Sequence, residues 1–288
     1  MRFFRLTWLV LSSMVLWTRG EASVIREIPF ELRDGFISLL ISTPSSPVPL
    51  RFLLDSGASS SVVDLAMADR LGLEKGALTS VQSVGRQITG FWPTRLSASA
   101  GSLRLPNEYL ALSLSDVSGA CSQPVDGLLG MDFFRGRIVQ IDYAQLKIRL
   151  LTKAPRFGNL ERLPLELRDY GMVVPVRFNQ SVPKWVRLDT GCASEMQWVR
   201  GDSSLQAAPS SNSTGAIIAL TTASGTPETT TIHLGTRRVG VVKAGLVDAE
   251  IFPNEAGLLG NGLLKRFQQV TVDAVGGQMI LGEFQNRQ

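Results

Sequence analysis

Three short blocks of this chain occur twice, in the same order and at almost the same spacing. Ile28-Pro29-Phe30-Glu31-Leu32-Arg33-Asp34 returns as Leu163-Pro164-Leu165-Glu166-Leu167-Arg168-Asp169. Leu53-Leu54-Asp55-Ser56-Gly57-Ala58 returns as Arg187-Leu188-Asp189-Thr190-Gly191-Cys192, and Gly127-Leu128-Leu129-Gly130-Met131 returns as Gly257-Leu258-Leu259-Gly260-Asn261. The offsets are 135, 134 and 130 residues. Ordered recurrence of this kind marks a duplicated structural unit. The 288 residues therefore divide into two copies of one small domain, residues 23–151 and 163–288, after a leader at 1–22. Residues 152–162 read as the linker, being charged, without periodicity and carrying Pro155 and Gly158.

Both copies are patterned for strands, so the expected class is all-β. Phe36 to Ile41 and Val173 to Phe178 are apolar, β-rich runs ahead of each Asp-Ser/Thr-Gly, and Arg51 to Leu54 and Trp185 to Leu188 lead directly into it. Ile138 to Leu151 and Val270 to Leu281 read as the closing strands of each copy, with Ile141, Tyr143, Leu146, Ile148 and Leu150 partly alternating. Short helices are expected at Ser61 to Leu71 and just after each Gly-Leu-Leu-Gly. Ser210 to Gly215 is a polar loop whose Asn212-Ser213-Thr214 is a glycosylation triplet, relevant only in a eukaryote.

The chemistry rests on Asp55 and Asp189. One Asp-Ser/Thr-Gly triplet is a weak signal, but two at matching repeat positions are specific. Hydrolysis of a peptide bond without metal or covalent intermediate needs a base for water and an acid for the leaving amine. Two carboxyls about 3 Å apart supply both, because they cannot both ionise and so share one proton. Gly57 and Gly191 permit a tight turn and close approach of the opposite loop. The hydroxyls of Ser56 and Thr190 can bond across to the partner loop and brace both turns.

With these residues the chain resembles the retropepsin-like, pepsin-like clan of aspartic peptidases, in particular bacterial proteins with tandem retropepsin-type domains. The resemblance spans roughly residues 24 to 284. It implies two acid-protease β-barrels related by a pseudo-two-fold axis, a cleft between them, and catalytic roles for Asp55 and Asp189. In that clan an apolar-apolar-Gly segment packs beneath the catalytic loop, which Leu128-Leu129-Gly130 and Leu258-Leu259-Gly260 match. It also implies a flap hairpin over the cleft. Val84 to Trp92 and Leu220 to Thr229 are the candidate flaps, with Gly85, Gly90 and Gly225 as tip glycines. Phe91 and Trp92 either cover substrate or serve as core aromatics. Neither stretch holds the flap tyrosine typical of the pepsin-like branch, and Cys192 stands where the family usually has Ala or Ser.

The implied activity is aspartic endopeptidase, acting on an extended peptide or unfolded protein without cofactor or metal. The competing class is a catalytically silent module that grips a peptide in the same cleft by strand addition. The short linker favours pairing of the two halves within one chain, hence a monomer, over pairing between chains. Arg2 and Arg5, the apolar run Leu6 to Trp17 and the small residues Gly20 and Ala22 form a signal-peptide pattern with cleavage after Ala22. The uncharged stretch between Arg5 and Arg19, at 13 residues, falls short of the roughly 20 that a membrane span needs. The expected location is outside the cytoplasm, in the periplasm or secreted, with no membrane span once the leader is removed.

The net charge of +4 drops to +2 without Arg2, Arg5, Arg19 and Glu21, which is no footprint for nucleic acid. Cys121 and Cys192 either form a bridge between the halves or are two separate small hydrophobes. The single histidine, His233, cannot build a zinc site with two scattered cysteines and reads as an ordinary strand residue.

Overall fold

The computed structural model of the chain describes residues 22–83, 86–178, 182–199, 217–218, 228–247 and 255–285. Strands dominate, with four short helices among the described residues. One sheet of eleven strands takes ten from the first half and Ile217–Ile218 from the second, one of seven strands lies wholly in the second half, and a third sheet of six strands is built from both halves.

The duplicated sequence folds into duplicated topology. Ser46–Leu54 leads into Asp55 and pairs in parallel with Gly127–Leu129, Leu54 opposite Leu129. Lys184–Asp189 pairs in parallel with Gly257–Gly260, Asp189 opposite Gly260. Gly127–Leu129 is also antiparallel to Val62–Asp64, and Gly257–Gly260 to Met196–Val199. Each Gly-Leu-Leu-Gly segment thus lies between the strand entering an Asp-Ser/Thr-Gly turn and the strand leaving it. Gly130 and Gly260 sit against the backbone of Ser60 and Ser194, where a Cβ would collide.

The expected helix over Ser61 to Leu71 begins later. Val62 and Val63 are β-branched and fully buried, and strand pairing on both sides suits them better than a helix. The helix runs Leu65–Arg70, capped by Asp64, whose carboxylate accepts from Met67 N at 3.1 Å. Short helices follow both Gly-Leu-Leu-Gly segments, at Met131–Phe134 and Asn261–Leu264.

The strands expected to close each copy do more than that. Ile138–Asp142 and Lys147–Leu151 form one hairpin, Gln269–Asp273 and Gln278–Leu281 the other. Ile138–Asp142 then pairs antiparallel with Gln269–Asp273, Gln140 opposite Thr271, so equivalent strands meet around the pseudo-two-fold axis. Val24–Pro29 flanks this sheet on one side and Glu161–Pro164 on the other, so the last two residues of the expected linker are already strand. The main hydrophobic core runs without a break from Ile28 and Phe133 in the first half to Leu188 and Val272 in the second.

Candidate active site

The two aspartates emerge from their strands at one point between the lobes. Both are buried, Asp55 at 2 % exposure and Asp189 at 0 %. Oδ1 of Asp55 accepts from Gly57 N at 3.0 Å and Ala58 N at 3.1 Å, and Oδ1 of Asp189 accepts from Gly191 N at 2.8 Å. Each turn therefore holds its own carboxyl with its own backbone.

The turns hold each other through a reciprocal exchange. Ser56 N donates to Thr190 Oγ1 at 2.9 Å while Thr190 N donates to Ser56 Oγ at 3.0 Å. Ser56 Oγ donates on to Leu188 O and Thr190 Oγ1 to Leu54 O, both at 2.8 Å. Every donor in this buried square has an acceptor, which a polar cluster in low dielectric requires. The glycines explain the close approach. A Cβ on Gly57 would lie 2.5 Å from Asp189 Cγ, and one on Gly191 would lie 2.5 Å from Asp55 Cγ.

Burial raises the affinity of both carboxyls for protons. Asp55 is pushed up to about 6 by desolvation, against the Ala58 and Gly57 N–H groups, the neighbouring Asp189 carboxyl and the charge of Arg187. Asp189 is raised well above the carboxylate range, by desolvation first and by the Asp55 charge second, with Arg187 opposing. Its Oδ2 is buried and receives no donor among the described residues. Two backbone N–H groups on Asp55 against one on Asp189 favour ionised Asp55 and neutral Asp189. They titrate as one pair.

Of the flap residues, Gly85 and Gly225 lie outside the described residues. Ala77–Ser83 and Arg86–Arg95 form the first hairpin. Gly90 is not at its tip but in mid-strand, opposite Thr79, where a Cβ would stand 2.8 Å from Ala111 O. It serves close strand packing instead. Phe91 and Trp92 point to opposite faces, as neighbours on a strand must. Phe91 packs on the main core. Trp92 is 38 % exposed and lines a cavity with Ala77, Leu78, Val81, Leu110 and Ser60, which follows the first turn. From the second half, Ile217–Ile218 runs parallel to the outer strand of this hairpin.

Cys121 and Cys192 are both free. Burial, followed by the charge of Asp189, pushes the Cys192 thiol up to about 12, so it is neutral rather than nucleophilic. His233 sits in the strand Glu228–Leu234, opposite Arg177 on one side and Arg238 on the other. Among the described residues no three His, Cys, Asp or Glu side chains gather as metal ligands would.

Three residues not singled out in the sequence belong to this region. Arg187, two residues before Asp189, is buried and bound to Glu255, and also donates to Gly57 O. Asn261 donates from Nδ2 to Gly35 O of the first half at 2.6 Å and accepts from Tyr143 OH at 2.5 Å. The readable signal was a mismatch between copies: Arg187 stands where Leu53 stands, Glu255 where Val125 does, and Asn261 where Met131 does.

Residues 45–133, which contain Asp55 and the first Gly-Leu-Leu-Gly, match the family model described as aspartyl protease. No curated protein matches the chain by sequence. A crystal structure of an aspartic proteinase from Irpex lacteus is similar in fold, with a TM-score of 0.54 and 12 % sequence identity over 90 % of this chain and 97 % of that one. The family match falls on the first copy alone, while the structural likeness takes in both. The first copy is thus similar to the aspartyl protease family, and the chain as a whole, with its two interlocked Asp-Ser/Thr-Gly turns, has the fold of an aspartic proteinase.

Proposed function

We propose that the chain is an aspartic endopeptidase that hydrolyses peptide bonds by a water held between Asp55 and Asp189. The observation that carries this reading is the pair of buried carboxyls brought together at one point, where a Cβ on Gly57 or Gly191 would lie 2.5 Å from the opposite carboxyl carbon, both carboxyls being raised above the ordinary range. One proton on such a pair leaves a base and an acid side by side. Ionised Asp55 takes a proton from the water as its oxygen attacks the peptide carbonyl carbon, and neutral Asp189 protonates the carbonyl oxygen. The resulting diol collapses as Asp55 passes its proton to the amide nitrogen and the C–N bond breaks. Asp189 regains its proton from the diol, and the pair returns to its starting state.

The substrate is an extended peptide segment lying in the cleft between the lobes, with Trp92 on the substrate side of the flap. The chain acts as a monomer, and after export, in the periplasm or the medium. The test is cleavage of an unfolded protein mixture between about pH 3 and 7, where a carboxyl pair titrates, beside Asp55→Asn and Asp189→Asn. Cleavage by wild type and by neither folded variant is the expected result. Cleavage by either variant, or none by a folded wild type, overturns it. A folded wild type that binds extended peptide without cutting would instead support the peptide-binding reading.

A further inference from the structure

The two copies fail to match at three positions that touch one another. At the repeat offsets, Phe36, Leu53 and Val125 correspond to Gly171, Arg187 and Glu255. In the first half these three are members of one apolar cluster beside the catalytic strand. In the second half Arg187 and Glu255, at 1 % and 8 % exposure, form a doubly bonded ion pair, Nε to Oε2 at 2.7 Å and Nη2 to Oε1 at 2.8 Å. Gly171 makes the room, since a Cβ there would stand 3.0 Å from both Cζ and Nε of Arg187. The third guanidinium nitrogen, Nη1, donates to Tyr170 O at 3.1 Å and, across the lobes, to Gly57 O at 3.1 Å. Gly57 is the residue whose N–H holds Asp55 Oδ1.

A buried ion pair is a poor way to gain stability, because desolvating two charges offsets most of their attraction, and an apolar group of similar volume serves as well or better. The first lobe shows that this fold accepts the apolar solution at the same place. What the guanidinium adds is a charged donor anchored in one lobe and aimed at the catalytic turn of the other. We propose that Arg187, oriented by Glu255 in the space left by Gly171, is a positioning residue that fixes the Asp55 turn and so orients the Asp55 carboxylate for reaction. This rests on the peptidase reading above. The positive charge also acts on the pair, opposing the rise in proton affinity of both carboxyls. The charge of Arg187, itself bound to Glu255, acts on both carboxyls, and both carboxyls act in turn on the neighbouring Cys192 thiol.

The experiment copies the first lobe into the second with Gly171→Phe, Arg187→Leu and Glu255→Val together. The expected variant folds, keeps KM within about twofold and loses kcat by about 10- to 100-fold, as displacement of a reacting group does. The basic limb of its kcat profile moves to higher pH. Arg187→Lys, which keeps the charge but not the fork, is expected to keep the wild-type limb and still lose kcat. A folded triple variant with wild-type kcat and pH profile overturns the proposal and leaves the ion pair as packing. Should the triple variant not fold, Glu255→Gln decides: with the Arg187 charge no longer neutralised, the basic limb is expected to move to lower pH, and an unchanged kcat and limb overturn the proposal. If wild type cleaves nothing, the peptidase reading fails separately. Carboxyl titration of Asp55 and Asp189 by 13C NMR in wild type and Glu255→Gln then tests Arg187 alone, a downward shift being expected and no shift overturning it.

Discussion

Asp55 and Asp189 sit in turns that are close copies, each carboxyl held by the N–H of the glycine two residues on, each hydroxyl answering the other across the axis. The supports under those turns are not copies. Leu53, Val125 and Met131 are buried apolar side chains of the first half, while Arg187, Glu255 and Asn261 stand at the same places in the second half, all largely buried. Two of these polar side chains cross to the other lobe, Arg187 to Gly57 O and Asn261 to Gly35 O. The proposed chemistry demands symmetry only at the atoms that would share the proton. One shell further out, the lobes are free to divide the work, and here the second lobe does the bracing.

Substitutions can break this comparison at its symmetric centre or at its asymmetric margin. The largest effect is expected at the glycines. Gly57→Ala and Gly191→Ala each drive a methyl into the opposite carboxyl and should each lower kcat by about 100-fold or more. Similar losses from both, measured on one peptide substrate, would mark the centre as symmetric. A loss from only one would show that the turns are not equivalent. Next come the hydroxyls. Ser56→Ala and Thr190→Val each strand a buried N–H of the other lobe and should cost about 1–3 kcal/mol in urea unfolding. The double variant should cost less than the sum, because the two belong to one network.

The pair also ties stability to pH. Both carboxyls hold their proton more tightly folded than unfolded, so the folded chain carries more protons above the ordinary carboxylate range. The stability this gives is complete below about pH 4 and falls as pH rises through about 6 and beyond, where Asp55 and then Asp189 would ionise. Thermal unfolding of wild type should show this decline, and Asp189→Asn should flatten it. A decline of equal slope in the variant would place the linkage elsewhere. The smallest effect is expected at Asn261→Met, which copies the first lobe and removes the bond to Gly35 O. Its cost should be about 1 kcal/mol in urea unfolding, with kcat near that of wild type. A large loss of kcat would extend the bracing role beyond Arg187.

What could be read in the sequence followed from repetition. Asp55 and Asp189, their glycines and the two Gly-Leu-Leu-Gly segments announced themselves because each occurs twice. The helices after those segments fell where expected, since the closing glycine of each ends the strand and caps the helix that follows. The partners of Arg187 and Asn261 were not legible. Glu255 lies 68 residues from Arg187 and Gly35 lies 226 from Asn261, and no local period records such distances. The shared sheet escaped for a related reason. Val139 and Ile141 alternate with Gln140 and Asp142, yet all four are buried, and a backbone edge accepts any antiparallel neighbour, so the pattern could not say that the neighbour is Gln269–Asp273. Gly90 misled because glycine in a hairpin suggests a tip, whereas the backbone of Ala111 passing close by needs one just as much.

The antiparallel pairing of Ile138–Asp142 with Gln269–Asp273 joins the halves as two identical subunits would be joined, yet both are encoded once each in one chain. In an assembly of identical subunits any substitution appears on both sides of the axis. Exchanging Phe36 for a glycine there would hollow out both supports, and an arginine at Leu53 would enter from both directions. Here a change on one side leaves the other as it was. The joined halves thus form a scaffold in which specialisation can proceed one lobe at a time, with the untouched lobe keeping the fold while its twin takes on a new part.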